Sequence, residues 1–174
     1  MPSNVEIKAR IPRVEFAALR EGTAALASSP ADTLHQTDTF FTTEKGRLKL
    51  REFRDGTGEL IYYERPNQPG PKHSSYTRSD CPEPASMREA LARALGVRGV
   101  VEKRREVFMA GQTRIHLDEV RGLGSFLELE VVLTPGQSVH AGELIARDLM
   151  ERLGVPAESL ESAAYIDLLE EGSA

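Results

Sequence analysis

Tryptophan is missing altogether from the 174 residues, and aromatic residues make up only 6% of them. Proteins that hold single-stranded nucleic acid need aromatic stacking platforms, so that class is disfavoured. Net positive charge is lacking too. The formal balance is −5 at pH 7, which offers no global field for a duplex phosphate backbone, and no nucleic-acid partner is expected. Any anion site must therefore come from local segregation of charge. Cys81 is the only cysteine, which excludes an internal disulfide and any cysteine-cluster zinc site. His35, His73, His116 and His140 show no metal-ligand spacing. No signal peptide or apolar membrane span is visible, so a cytoplasmic chain without a membrane partner is expected. Length and a hydrophobic content of 40% fit one globular domain over residues 1–174.

What is present is alternation. Residues 4–11 place Val5, Ile7, Ala9 and Ile11 on one face of a strand and Asn4, Glu6, Lys8 and Arg10 on the other. A helix from Pro12 to about residue 27 follows, ended by Ser28-Ser29-Pro30. Strands are predicted at 34–43, 47–53 and 59–65, the last two joined by a turn at Asp55-Gly56. The Pro- and Gly-rich segment 66–71 reads as a loop that could act as a flap, and 73–81 as a polar strand. A second helix over 84–95 has Ser86 as its plausible cap and Gly96 as its stop. Strands at 100–109, 113–120 and 125–133 precede a helix over 141–153 and a tail helix over 159–170. The count is about eight antiparallel strands with flanking helices, an α+β fold.

The polar faces carry the chemistry. Arg47, Lys49 and Arg51 share one face of their strand, and Leu48 and Leu50 share the other. Arg65 is in phase with Tyr63, and Lys103 and Arg105 with Val101. Arg114, His116 and Asp118 share a face, as do Glu128 and Glu130. Each strand alone could be the solvated outer face of an ordinary sheet. Together they fit that reading less well, because several faces are nearly all ionisable and the signs segregate by strand. If the sheet closes into a barrel, the charges point inward and the apolar faces meet the helices. A charged lumen needs neutralising. A polyphosphate with divalent cations does this for both signs at once.

This ordered set resembles the CYTH family, the triphosphate tunnel metalloenzymes, and most closely its class IV adenylyl cyclase-like branch. The matching segments are Asn4-Val5-Glu6-Ile7-Lys8, the run Arg47–Arg51, Tyr63-Glu64-Arg65, the run Val101–Arg105, Ile115-His116-Leu117-Asp118 and the run Phe126–Glu130. The resemblance implies an eight-stranded antiparallel β-barrel whose tunnel holds a small-molecule triphosphate, ATP or tripolyphosphate. It implies phosphate binding by Lys8, Lys49, Arg51, Arg65, Lys103 and Arg105, and Mg²⁺ or Mn²⁺ held by Glu6, Glu128 and Glu130. Glu6, Lys8, Asp118 and Glu130 are then the residues of the chemistry. The branch reaction is attack of the ATP 3′-hydroxyl on the α-phosphorus with release of pyrophosphate. The alternatives are hydrolysis of a triphosphate by water and a non-catalytic polyphosphate or nucleotide sensor.

One departure stands out, because Asn4 replaces the first Glu of the family's Glu-x-Glu-x-Lys signature. Asn offers a neutral carbonyl oxygen and cannot act as a base, which favours one strongly held metal over two. His116 is a candidate acid or base against the commoner role of a hydrogen-bonded barrel histidine. Lys72 reads as an exposed lysine or, less often, one that closes over substrate. Tyr165 reads as packing, and Arg47 and Arg114 as tunnel-mouth or solvated residues.

Overall fold

The computed structural model describes residues 2–173. Its eight strands are β1 (Ser3–Ile11), β2 (Asp32–Phe41), β3 (Arg47–Phe53), β4 (Gly58–Glu64), β5 (Lys72–Cys81), β6 (Val97–Ala110), β7 (Thr113–Val120) and β8 (Gly124–Val132). They close into a barrel in the order β1-β5-β4-β3-β2-β6-β7-β8, antiparallel throughout. Four helices flank it: α1 (Arg13–Leu26), α2 (Pro84–Leu95), α3 (Val139–Arg152) and α4 (Tyr165–Ser173).

The alternation decides which way each strand faces. Val5, Ile7, Ala9 and Ile11 of β1 pack with Ile115, Leu117, Leu127, Leu129 and Val131, and with Leu19 of α1 and Ala146 and Leu149 of α3. Each large apolar side chain removed from water contributes about 1.5–3 kcal/mol. The layer between barrel wall and helices is therefore the main core, and the alternate side chains must point into the lumen. On β3 the same logic buries Leu50 beside Phe41 and Cys81, with Leu91 and Ala92 of α2 against them.

Gly142 lets α3 approach β1 closely. A Cβ built there would lie 2.7 Å from Leu133 Cδ2 and from Val5 Cγ2. Both neighbours belong to the packed layer, so Gly142→Ala is expected to destabilise the fold by about 1–3 kcal/mol. Urea unfolding measures this, and an unchanged midpoint would show that the α3–β1 contact is looser than drawn.

Three local expectations are corrected. Ser86 does not cap α2. The helix begins with Pro84, Glu83 holds the cap position, and the Ser86 hydroxyl donates to the Glu83 carbonyl at 3.2 Å. Proline at the first helical position has a preset φ and lacks only an N–H that would be orphaned anyway, so the helix starts at Pro84 as expected and the cap position falls on Glu83. The tail is not one helix over 159–170 either. A 3₁₀ turn covers Ala157–Ser159, Leu160 bridges to Ala9, and helix resumes only at Tyr165. The intervening carbonyls of Glu161, Ser162 and Ala163 serve the tunnel instead of a helix. Finally, Lys72 is neither exposed nor free in the loop. It opens β5 opposite Glu6, is 1% exposed, and donates to the carbonyls of Gln68, Glu161 and Ser162 at 3.1–3.4 Å.

Candidate active site: a charged tunnel closed at one end

The barrel encloses a cavity of about 600 Å³. Its lining includes Glu6 and Lys8 from β1, Lys49 and Arg51 from β3, Arg65 after β4, Lys103 and Arg105 from β6, His116 from β7, and Glu128 and Glu130 from β8. Of the residues named for the chemistry, the phosphates or the metal, only Asp118 sits behind this surface. Its carboxylate is fully buried and accepts two hydrogen bonds from Arg105, at 2.7 Å each from Nε and Nη2, and a third at 2.7 Å from the Tyr165 hydroxyl. Three of its roughly four acceptor directions are occupied and it is fully buried, so Asp118 braces Arg105. Tyr165 does pack, its ring edge-on to Phe126 at 4.9 Å, but its hydroxyl belongs to the site.

The cations are held by a residue the sequence reading passed over. Asp38 of β2, 1% exposed, accepts both guanidinium nitrogens of Arg51 at 2.8 Å, Lys49 Nζ at 3.1 Å and Lys103 Nζ at 2.9 Å. Burial alone would raise its carboxyl. The charges of Arg51, Lys103 and Lys49 instead hold it well below the ordinary carboxylate range. Three cations thus share one anion, and the excess positive charge faces the lumen. The available signal was an Asp inside a run of β-formers, where Asp is depleted unless something holds it.

Arg65 reaches past β5 to β1, where Nη1 donates to Glu6 Oε2 at 2.6 Å. Its Nε and Nη2 are buried without a partner among the described residues. Buried donors of this kind are costly unless something accepts from them, and phosphate oxygens suit a guanidinium fork. Lys8 Nζ donates to Ala163 O at 3.2 Å and lies 4.1 Å from the centre of the Tyr165 ring. Burial lowers its ammonium to about 7, despite Glu128 nearby, and burial likewise brings Lys49 to about 8.

These lysines make a pH prediction. An ammonium depressed by burial regains its proton when a polyanion binds beside it. Triphosphate affinity should therefore fall as pH rises from about 7 to 9, and binding at roughly pH 8 should take up protons. Below about pH 6 both groups are already largely charged and little uptake is expected from them. Calorimetry in two buffers of different ionisation heat reads the uptake directly, and equal heats in both would contradict it.

The carboxylates cluster on the neighbouring wall. Glu130 stands directly opposite Glu6 across the β1–β8 ladder, and Glu128 stands opposite Lys8 and, on the other side, His116. Like charges face to face are unfavourable, and Arg65 relieves only Glu6. Ligand atoms of His116, Glu128 and Glu130 lie within 4.8 Å of one another. Burial would raise the Glu128 carboxyl, but His116, Arg105 and Lys8 hold it well below the usual range, so it is ionised. Two close carboxylates on a low-dielectric wall fit a divalent cation.

The two ends of the tunnel differ. At the end near Lys8 and Lys72 the carbonyls of residues 161–163 cover the opening. Asp167 of α4 ties that cover down through Arg47 at 2.9 Å and Arg98 at 2.7 Å, so Arg47 belongs to the closed end. At the other end the lining is mixed, with half-buried Leu34, Phe53, Val107 and Met109 among Asp32, Glu59 and Arg114. Arg114 lines the tunnel too, opposite Glu130.

A closed antiparallel barrel with a lumen of segregated cations and carboxylates defines a class of anion-binding tunnel proteins, and the comparisons agree. The CYTH domain profile matches residues 3–165, and the chain belongs to the CYTH family. Over 84 residues it is 30% identical to the adenylate cyclase CyaB of Aeromonas hydrophila, a match covering 47% of this chain and 44% of that protein. The PH1012 protein of Pyrococcus horikoshii superposes with a TM-score of 0.83 at 25% identity, over 95% of this chain and 98% of that one. The S. pombe Pct1 RNA triphosphatase shares the fold at 10% identity, with a TM-score of 0.51 over 94% of this chain and 85% of that one.

Proposed function

We propose that the protein is a divalent-metal-dependent enzyme that holds a nucleoside triphosphate with its phosphates in the tunnel and converts ATP to cyclic AMP and pyrophosphate. The observation that carries this reading is the asymmetry of the cavity. Phosphate-binding cations fill its middle, while at the other end Leu34, Phe53, Val107 and Met109 add apolar surface beside Asp32, Glu59 and Arg114. Apolar surface there serves a nucleoside and has no use for a bare tripolyphosphate.

The residues divide the work. Arg51, Lys49 and Lys103, clamped on Asp38, and Arg105, clamped on Asp118, form a preorganised cationic wall for the phosphate chain. Arg65 offers two donor nitrogens, unpartnered among the described residues, to phosphate oxygens. Holding the chain this rigidly supplies the positioning and charge neutralisation on which phosphoryl transfer depends. Glu128 and Glu130, with Glu6 beside them, would hold Mg²⁺ or Mn²⁺. When bound, such a cation polarises phosphate oxygens and neutralises charge. The 3′-hydroxyl oxygen forms a bond to the α-phosphorus, the bond to the bridging β-phosphate oxygen breaks, and pyrophosphate leaves. The hydroxyl proton leaves to water at the open end of the tunnel, while Lys8, charged again once the polyanion lies beside it, pairs with the phosphate chain.

A second reading, hydrolysis of inorganic tripolyphosphate, draws on the cationic wall alone, which needs no nucleoside. A product assay with ATP and tripolyphosphate in parallel, in Mg²⁺ or Mn²⁺, separates the two. Cyclic AMP with pyrophosphate is the expected result. Orthophosphate from tripolyphosphate with ATP untouched would replace the cyclase by a hydrolase, and binding without turnover of either would reduce the protein to a sensor.

A further inference from the structure

We infer that His116 is itself a metal ligand, so that His116, Glu128 and Glu130 make a mixed nitrogen–carboxylate site selective for a transition-metal cation over Mg²⁺. The inference rests on the reading of the tunnel as a metal-dependent triphosphate site. His116 lies on β7 with its side chain in the tunnel, 3% exposed. Its Nδ1 is 3.6 Å from Glu128 Oε1 and its Nε2 is 3.9 Å from Glu130 Oε2, both beyond hydrogen-bond distance. Nδ1 is buried and has no hydrogen-bond partner among the described residues. The ring spans the two carboxylates with one nitrogen toward each, at distances that leave Nδ1 without the close partner a buried polar atom ordinarily has.

A cation among the three residues supplies one. Ligands about 2.1–2.2 Å from a common ion lie no more than roughly 4.4 Å apart. One donor atom from each residue already falls within 4.8 Å of the others, so a contraction of a few tenths of an ångström completes the set. The neighbouring oxygens are weaker competitors. Glu6 Oε2 is engaged by Arg65 at 2.6 Å, and position 4 offers the neutral amide of Asn4. The imidazole therefore serves as the third strong donor beside Glu128 and Glu130.

The donor set dictates the preference. Mg²⁺ demands oxygen ligands, whereas imidazole nitrogen suits Mn²⁺, Co²⁺ and Zn²⁺ progressively better. The protein is expected to bind Mn²⁺ more tightly than Mg²⁺. His116→Asn, which leaves oxygen donors only, should lower the ratio of Mn²⁺ to Mg²⁺ affinity by at least about tenfold.

The direct test is pulsed electron paramagnetic resonance of the intact protein with bound Mn²⁺, alone and with a methylene-bridged triphosphate. Nitrogen modulation of the echo, lost in His116→Asn, is expected. It can be assigned because His35, His73 and His140 do not line the tunnel. Bound Mn²⁺ without nitrogen modulation, or modulation that persists in His116→Asn, would overturn the role of His116 and leave the metal-dependent tunnel standing. Failure of Mn²⁺ to bind in either state would overturn both.

Discussion

Glu130→Gln is expected to lower metal-dependent turnover by about 10³-fold, equivalent to roughly 4 kcal/mol of barrier, and to leave the fold intact. The two halves of that expectation have different causes. Glu130 faces Glu6 across the ladder and pairs with no Lys or Arg among the described residues. Loss of its charge therefore leaves no cation stranded and removes a like-charge contact, so thermal stability should be unchanged or slightly higher. In the proposed metal site its part is to add negative charge where the divalent cation would sit, and Gln keeps the shape while removing that charge. Steady-state kinetics in Mg²⁺ and a melting curve on the same preparation check both halves. Near-normal turnover would remove Glu130 from the metal site, and loss of folding would reassign it to the structure.

Arg105→Ala is expected to do the reverse, striking stability first. The family resemblance makes Arg105 a phosphate ligand, so that loss of binding would be the expected phenotype. The structure adds that Asp118, fully buried, depends on Arg105 for two of its three hydrogen bonds. Truncating the arginine leaves a carboxylate uncompensated in a low-dielectric wall, which destabilises by about 3–5 kcal/mol. For a chain of this size that corresponds to a fall in Tm of roughly 6–20 °C. The double variant Arg105→Met with Asp118→Leu removes both charges and should recover much of the loss while triphosphate affinity stays weak. A single variant that binds poorly yet melts like the wild type would show that Asp118 finds another partner.

The frame of the molecule was legible because alternation carries two messages at once. Val5, Ile7, Ala9 and Ile11 announce an apolar face, and Asn4, Glu6 and Lys8 announce that its opposite is no solvent-mixed surface. With helices that need an apolar partner, the inward turn of the charges followed, and the structure places the six cationic residues and three glutamates on the lumen. Asp38 was not legible. A single carboxylate within Thr37-Asp38-Thr39-Phe40-Phe41 has no partner in its own strand, and its three cations come from β3 and β6. The burial of Lys72 was hidden for a different reason. Its partners from residues 161 and 162 are backbone carbonyls, groups every residue possesses and no side-chain pattern marks. The same applies to the broken tail helix, whose carbonyls turn toward Lys8 and Lys72. Ser86 misled because proline at the first helical position overrode a familiar capping pattern.

The central claim is that the tunnel reads a chain of phosphates through cations fixed in advance by Asp38, Asp118 and Glu6. Calorimetric titration with tripolyphosphate, ATP and orthophosphate, on the wild type and on Arg65→Ala, tests it most directly. The account predicts one triphosphate per chain, bound at least about 10³-fold more tightly than orthophosphate, because each further phosphate engages additional charge-assisted hydrogen bonds. It also predicts a clear loss of that advantage in Arg65→Ala. A triphosphate bound no more tightly than orthophosphate, or with full affinity without Arg65, would contradict it.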